Sequence, residues 1–281
     1  MAQEWTLDSP RVLDIGGEGE RVSRLSVAVV GGQVDVVTHT DSPTARLEVS
    51  AIRGTPLRVV WDGSLLKITH GVEGDTILGK LRQSVEWFDR NRVTLSLSVP
   101  EEAVTSVSTV SASGLLAGLR AGAKVNTVSG TMTLDDVTGP VDVNTVSGEV
   151  ECGNLHGLLK VNSVSGAVTA RHSDLEEVGI HTVSGDVTLD LTNAGPTISS
   201  SSVSGDVTVR APHHGYDVKA STATGSVVID GLTIDRNSRR NGGRLTAGDG
   251  GLRLKANAVS GDVVVLQPSG AGPDTTAGAG A

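Results

Sequence analysis

A hexapeptide returns along the chain at a fixed interval: Val125-Asn126-Thr127-Val128-Ser129-Gly130, the same six residues from Val143 to Gly148, then Val161-Asn162-Ser163-Val164-Ser165-Gly166. Each copy begins 18 residues after the one before. A unit this short cannot enclose a core alone and buries its apolar face only by stacking on its neighbours, so the period predicts a solenoid. The series continues through Ile180 to Gly185, Ser202 to Gly205, Thr222 to Gly225 and Asn257 to Gly261, the last step being 36 residues, or two periods. Backwards, Val107 to Ser111 fits one period earlier, with Ala112 in the place of the glycine.

A finer period lies inside each repeat, because Gly130, Gly139, Gly148, Gly157 and Gly166 are nine residues apart in an apolar-x-Gly-x-apolar setting. Strict alternation puts Val146, Val150 and Cys152 in one phase and Leu155, Leu159 and Val161 in the other, as expected of half-buried strands. The phase slips at Gly153-Asn154 and at Asn162-Ser163, which are read as corners. Each rung then has two strand segments, or three sides if the chain also bends at the central glycine. Stacking places Asn126, Asn144 and Asn162 in a column at one corner, where asparagine tolerates left-handed backbone angles and its amide bonds along the axis. Asn257 is expected to rejoin that column 36 residues after Ser221. Gly130, Gly148, Gly166, Gly185 and Gly205 fall where a side chain would crowd a bend, so Gly148→Val is expected to be disruptive.

The rest of the composition fits a thin β core: 36 glycines, five aromatic residues and 37% hydrophobic content across 281 residues. Valine, threonine, serine and leucine suit a narrow pleated interior. A formal charge of −9 argues against a nucleic-acid partner, which needs a dense basic face. Cys152 is the single cysteine, so no internal disulfide forms. No apolar run approaches the roughly 20 residues that span a bilayer, and the first twelve residues lack a signal-peptide pattern, so a cytoplasmic location is expected.

The chain divides into an N-terminal β region over 1–106, solenoid repeats over 107–266 with a polar insertion near 232–251, and a disordered tail over 267–281. In the first region Arg24 to Val30, Gln33 to Thr38, Ala45 to Ile52, Leu57 to Trp61, Leu65 to Thr69 and Arg92 to Val99 all alternate, separated by turn signals at Gly31-Gly32 and Asp62-Gly63. These strands are read as degenerate rungs that cap the stack, because an open rung is an adhesive edge. Ile77, Leu81, Val85 and Phe88 are at helical spacing and suggest a short helix over 77–91.

Trp5, the Val-x-Gly-x-Val unit around Gly32, Leu95-Ser96-Leu97-Ser98-Val99-Pro100, and Val-Ser-Gly-Asp-Val at Val183 to Val187 and Val203 to Val207 together resemble the DUF4097 family of bacterial adhesin-like proteins with β-strand repeats. The likeness spans nearly the whole chain. It implies a β-solenoid and an adhesin-like role, often at the cell envelope, and brings no catalytic residues to carry over.

Candidate chemistry is sparse. Glu149, Asp186, Asp206 and Asp262 follow repeat glycines, and stacked carboxylates are compatible with a retaining glycosidase pair or a cation site. At solvated strand edges they discourage aggregation instead. His156, His172, His181, His213 and His214 lack zinc-ligand spacing. Cys152 aligns with Leu134 and Ala170, inward positions, as a small buried apolar residue. No nucleophile elbow, phosphate loop or dinucleotide fingerprint is present, and no cofactor is expected. Arg236, Arg239, Arg240 and Arg244 cluster in the insertion, either as a solvated loop or as a basic grip on an acidic partner. The expectation is a non-enzymatic binding or scaffolding surface for an unidentified protein or surface ligand. The alternatives are a carbohydrate-active β-helix enzyme and a filament subunit joined end to end.

Overall fold

The computed structural model describes residues 2–17, 19–70, 91–212, 215–233, 244–247 and 251–267. Among these, every regular element is a β-strand. The expected helix over 77–91 lies, but for Asn91, outside the described residues, as do Arg236, Arg239, Arg240 and all of the tail beyond Gln267.

The N-terminal strands are β1 (Gln3–Leu7), β2 (Arg11–Ile15), β3 (Arg24–His39), β4 (Ala45–Arg53), β5 (Leu57–Trp61), β6 (Leu65–His70) and β7 (Arg92–Pro100). The repeats form β8 (Val104–Ala117), β9 (Ala123–Thr127), β10 (Thr131–Thr145), β11 (Glu149–Ser163), β12 (Val168–Thr182), β13 (Val187–Leu191), β14 (Thr197–Ser202) and β15 (Val207–Arg210). The C-terminal strands are β16 (Tyr216–Thr222), β17 (Val227–Ile229), β18 (Leu232–Thr233), β19 (Arg244–Ala247), β20 (Leu252–Ala258) and β21 (Val263–Leu266).

The repeats stack in parallel and in register, so that Asn126 pairs with Asn144, Asn144 with Asn162 and Asn162 with His181. Two sides of each rung are laddered, and a short third segment pairs Val137 with Leu155 and Gly139 with Gly157. Left-handed backbone at Asp136, Asn154 and His172 turns the chain into that segment, and positive φ at Gly139 and Gly157 turns it out. The rung is therefore three-sided, with its corner at Gly153-Asn154 as expected. Val143, Val161 and Ile180 form one buried interior column, and Val150, Val168 and Val187 another.

The other expected corner is displaced. Asn126, Asn144 and Asn162 lie inside strands, none of them with positive φ, and the chain turns two residues later at Val146-Ser147 and Val164-Ser165. Val146 accordingly points outward while Thr145 points in, the reverse of the polarity its apolar side chain suggests. The hydroxyl decides it: Thr145 Oγ1 donates to the Gly148 carbonyl at 2.7 Å, satisfying a buried acceptor that valine would leave unpaired.

At the start of the stack, β3 is itself a rung. It pairs in parallel with β8 over both halves, placing Gly31 and Gly32 beside Ser111 and Ala112. Beyond it the sheet becomes increasingly antiparallel. One half of β3 pairs in parallel with β6, which is followed by β5 and β1 in antiparallel pairings; the other pairs in parallel with β7, which is followed by β4 and β2 in antiparallel pairings. Trp61 is fully buried here, and its indole N–H donates to Glu20 Oε2 at 2.8 Å.

At the far end, stacking departs from chain order. Strand β20 pairs with β14 on one side and β16 on the other, and β21 lies between β15 and β17. Asn257 is therefore flanked by Ser201 and Ser221, not two rungs past Ser221. Among the described residues the double-length period holds β18 and β19 in place of a further parallel rung. Its hairpin partner β18 lies antiparallel to β17 and β19 lies antiparallel to β16, so the last parallel strands are flanked by antiparallel ones.

Candidate binding surface

The turn Thr/Ser-Val-Ser-Gly generates four columns that run along the stack. Innermost are the hydroxyls of Thr145, Ser163, Thr182 and Ser202, each donating to the carbonyl of the glycine three residues on at 2.6 to 2.8 Å. Next come Ser147, Ser165, Ser184, Ser204 and Ser260, whose hydroxyls donate to the valine carbonyl one rung below at 3.0 to 3.3 Å. The Asn column lies in the preceding strand, with Asn144 Nδ2 donating to Asn126 Oδ1 at 3.1 Å and Asn162 Nδ2 to Asn144 Oδ1 at 2.8 Å. Between these polar rows stand Val146, Val164, Val183, Val203 and Val259, each 45 to 54% exposed and each one rung from the next. Sequence reasoning assigned Val146 to the interior and so missed the row. The signal was the Thr/Ser-x-x-Gly spacing, which marks the hydroxyl, not the valine, as the buried partner.

The glycine of the turn is dictated by the rung beneath. A Cβ built on Gly166 would lie 2.0 Å from the Gly148 carbonyl oxygen, and on Gly185 it would lie 2.2 Å from that of Gly166. The column of Gly130, Gly148, Gly166, Gly185 and Gly205 therefore sets how closely the rungs approach.

The carboxylates following the glycine have a structural task. Asp186 accepts the backbone N–H of Asp206 at 3.0 Å, Asp206 that of Asp262 at 2.8 Å, and Asp262 that of Ser226 at 2.6 Å. Each carboxylate oxygen tethers the next rung, and the sequence of donors repeats the non-sequential order of the strands. Glu149 is exposed at the equivalent point. Asp186 and Asp206 are brought to neighbouring rungs, where both are exposed.

Cys152 is buried between Leu134 and Ala170, and burial pushes its thiol up to about 12, which removes the thiolate that nucleophilic chemistry requires. His181 continues the Asn column, and His172 occupies a left-handed corner. His213 and His214 lie outside the described residues. Among the described residues no group of three or more His, Cys, Asp or Glu side chains could hold a metal ion. Of the arginine cluster, only Arg244 falls within them, opening β19 opposite Lys219. A shallow hollow near the N-terminal end is lined by Arg21, His39, Asp41, Glu101 and Glu102, where Arg21 pairs with Glu102 and His39 Nδ1 lies 3.1 Å from Asp41. No helix among the described residues is long and apolar enough to cross a membrane.

Comparison with known proteins agrees with this architecture. The crystal structure of a "putative lipid binding protein" from Parabacteroides distasonis aligns with 12% identity and a TM-score of 0.51, covering 92% of this chain and 97% of its own. A "putative adhesin" from the same organism aligns with 14% identity and a TM-score of 0.45, over 92% and 97% of the two chains. No curated protein matches the chain. The profile of the Toastrack DUF4097 family matches residues 22–266, from the residues preceding the first rung to the last residue of β21, and the chain belongs to that family.

Proposed function

We propose that this protein is a non-enzymatic, adhesin-like β-solenoid whose rows of stacked side chains form a docking surface for a partner. The row of half-exposed valines carries the reading. Each points away from the core, so serine or lysine would fit there without disturbing the packing, yet five successive rungs keep apolar surface in water. Contiguous apolar surface on a rigid frame is characteristic of an interaction site. The names of the adhesin-like neighbours fit this role. The carbohydrate-active alternative rests on Asp186 and Asp206, and it is weakened because each carboxylate already accepts a backbone N–H from the adjoining rung.

The test is affinity capture from host-cell extract with the wild-type chain and with the double variant Val164→Asp, Val183→Asp, read by quantitative mass spectrometry. The expected result is loss of the captured partners with unchanged circular dichroism and melting temperature. Full retention of those partners overturns the reading. For the alternative, hydrolysis of a polysaccharide panel that disappears in Asp186→Ala with Asp206→Ala would replace the proposal with an enzyme.

A further inference from the structure

Resting on that reading, we infer that the valine row recognises a second copy of this chain, the two solenoids pairing side by side and parallel about a two-fold axis that runs along the stack.

Spacing favours a stack of strands as the partner. Valines on successive rungs recur about every 4.8 Å, the interval between hydrogen-bonded strands. An extended peptide presents same-face side chains about every 6.6 Å. A helix repeats about every 5.4 Å per turn, and drifts half a step out of phase over five rungs. A stack of strands is the partner whose apolar groups stay in step along the whole row, and this chain carries such a stack with the matching side chain.

The exposed area suits a dimer. Five valines at this exposure leave roughly 350 Å² of apolar surface, within the range that marks a functional patch. The flanking serine and asparagine columns extend the contact toward the ~800 Å² per partner of a standard interface. The row is also bounded. Toward the N-terminal end the equivalent position is half-buried at Val128 and 6% exposed at Val110, and beyond Val259 it is taken by the smaller Ala223. A bounded, self-complementary patch closes as a dimer and does not propagate.

Charge selects the orientation. Asp186, Asp206 and Asp262 run along one flank of the valine row, while Asn144, Asn162, His181, Ser201 and Asn257 run along the other. A two-fold axis along the stack sets each acidic flank against the partner's amide and hydroxyl flank. A two-fold axis perpendicular to the stack would set carboxylates against carboxylates, which opposes association.

Single-cysteine variants read this geometry directly. Val146→Cys, Val183→Cys and Val259→Cys are each made and oxidised under mild conditions in dilute solution; buried Cys152 stays out of reach. Parallel pairing about the stack axis brings every position against its own copy, so all three variants are expected to form disulfide dimers. Antiparallel pairing would cross-link Val183→Cys alone, at the middle of the row, and overturns the proposal. Sedimentation of the wild-type chain is expected to show a concentration-dependent dimer whose midpoint moves at least about tenfold upward in Val164→Asp, Val183→Asp. A strictly monomeric wild type also overturns the inference. If that double variant nevertheless loses its captured partners, the broader docking role survives; if it keeps them, both fall.

Discussion

Between β9 and β15 the chain stacks its rungs in the order in which they occur, whereas from Tyr216 onward it does not: the last rung, β20 and β21, slips between β14–β15 and β16–β17. Both regions use the same turn, the same glycine contact and the same aspartate tether. A Cβ on Gly205 would lie 2.2 Å from the Gly185 oxygen, on Gly261 2.2 Å from that of Gly205, and on Gly225 2.2 Å from that of Gly261. The difference teaches that rung edges in a solenoid are chemically interchangeable. A repeat specifies how any rung sits on any other, and it does not specify which rung that is. The connections decide, and the residues after Arg210 carry the chain past one empty level that the C-terminal strands then fill.

Four measurements break or sharpen that contrast. The largest effect is expected of Gly166→Val, whose branched side chain meets the Gly148 oxygen in the sequential stack, with a loss above about 4 kcal/mol in chemical denaturation. Gly179→Ala, with nothing within 4 Å of the added Cβ, is expected within about 0.5 kcal/mol of wild type. Equal losses at both sites would show that the glycine contact does not set rung spacing.

Stack order is tested by paired cysteines. Ser201→Cys with Asn257→Cys joins adjacent strands about 4.8 Å apart and is expected to form a disulfide that adds about 2–4 kcal/mol. Ser201→Cys with Ser221→Cys spans two rungs, beyond the ~7 Å limit, and is expected to stay reduced. The opposite pattern would restore sequential stacking.

Ser163→Ala removes the buried hydroxyl that serves the Gly166 carbonyl at 2.6 Å, with an expected cost of about 1–3 kcal/mol. The out-of-order rung carries Ala258 at this position, where Thr222 Oγ1 of the neighbouring rung lies 3.4 Å from the Gly261 carbonyl. Thr222 Oγ1 also accepts the Gly225 N–H of its own rung at 3.0 Å, so Thr222→Ala should weaken both the inserted rung and its own, as read by hydrogen exchange of the β16, β17, β20 and β21 amides.

The smallest effect belongs to the antiparallel N-terminal end. Backbone N–H groups of Leu65 and Ser64 hold the Asp62 carboxyl below its ordinary value of 3.8. The ionised form is favoured by folding, so its contribution is present above that value and fades as pH falls through the lowered one. Protection of the β5–β6 hairpin amides, measured against the intrinsic exchange rate at each pH, should fall below pH 3.8 in the wild type. In Asp62→Ala this additional loss of protection should be absent.

Much of the fold was legible because repetition multiplies a weak local signal. The spacing of Val125, Val143 and Val161 sets the register, and alternation around Val150 and Cys152 finds the buried face. The candidate surface was less legible. Hydropathy alone sends Val146 inward and Thr145 outward, and only the need to satisfy a buried glycine carbonyl reverses them. Asp186 and Asp206 read from sequence as solvated edge carboxylates, with a catalytic pair as the alternative, and their tethering role was hidden because their backbone partners belong to other rungs.

The amino-acid sequence by itself therefore determined the rung: its length, its corner at Asn154, its glycine column and the side chains that meet along the axis, since these follow from local geometry repeated in register. Tertiary structure alone decided the order in which the last rungs stack, the antiparallel strands flanking both ends, and the exposure of the valine row. Those depend on contacts between segments as far apart as Ser202 and Ala258, which a pattern with identical edges leaves degenerate.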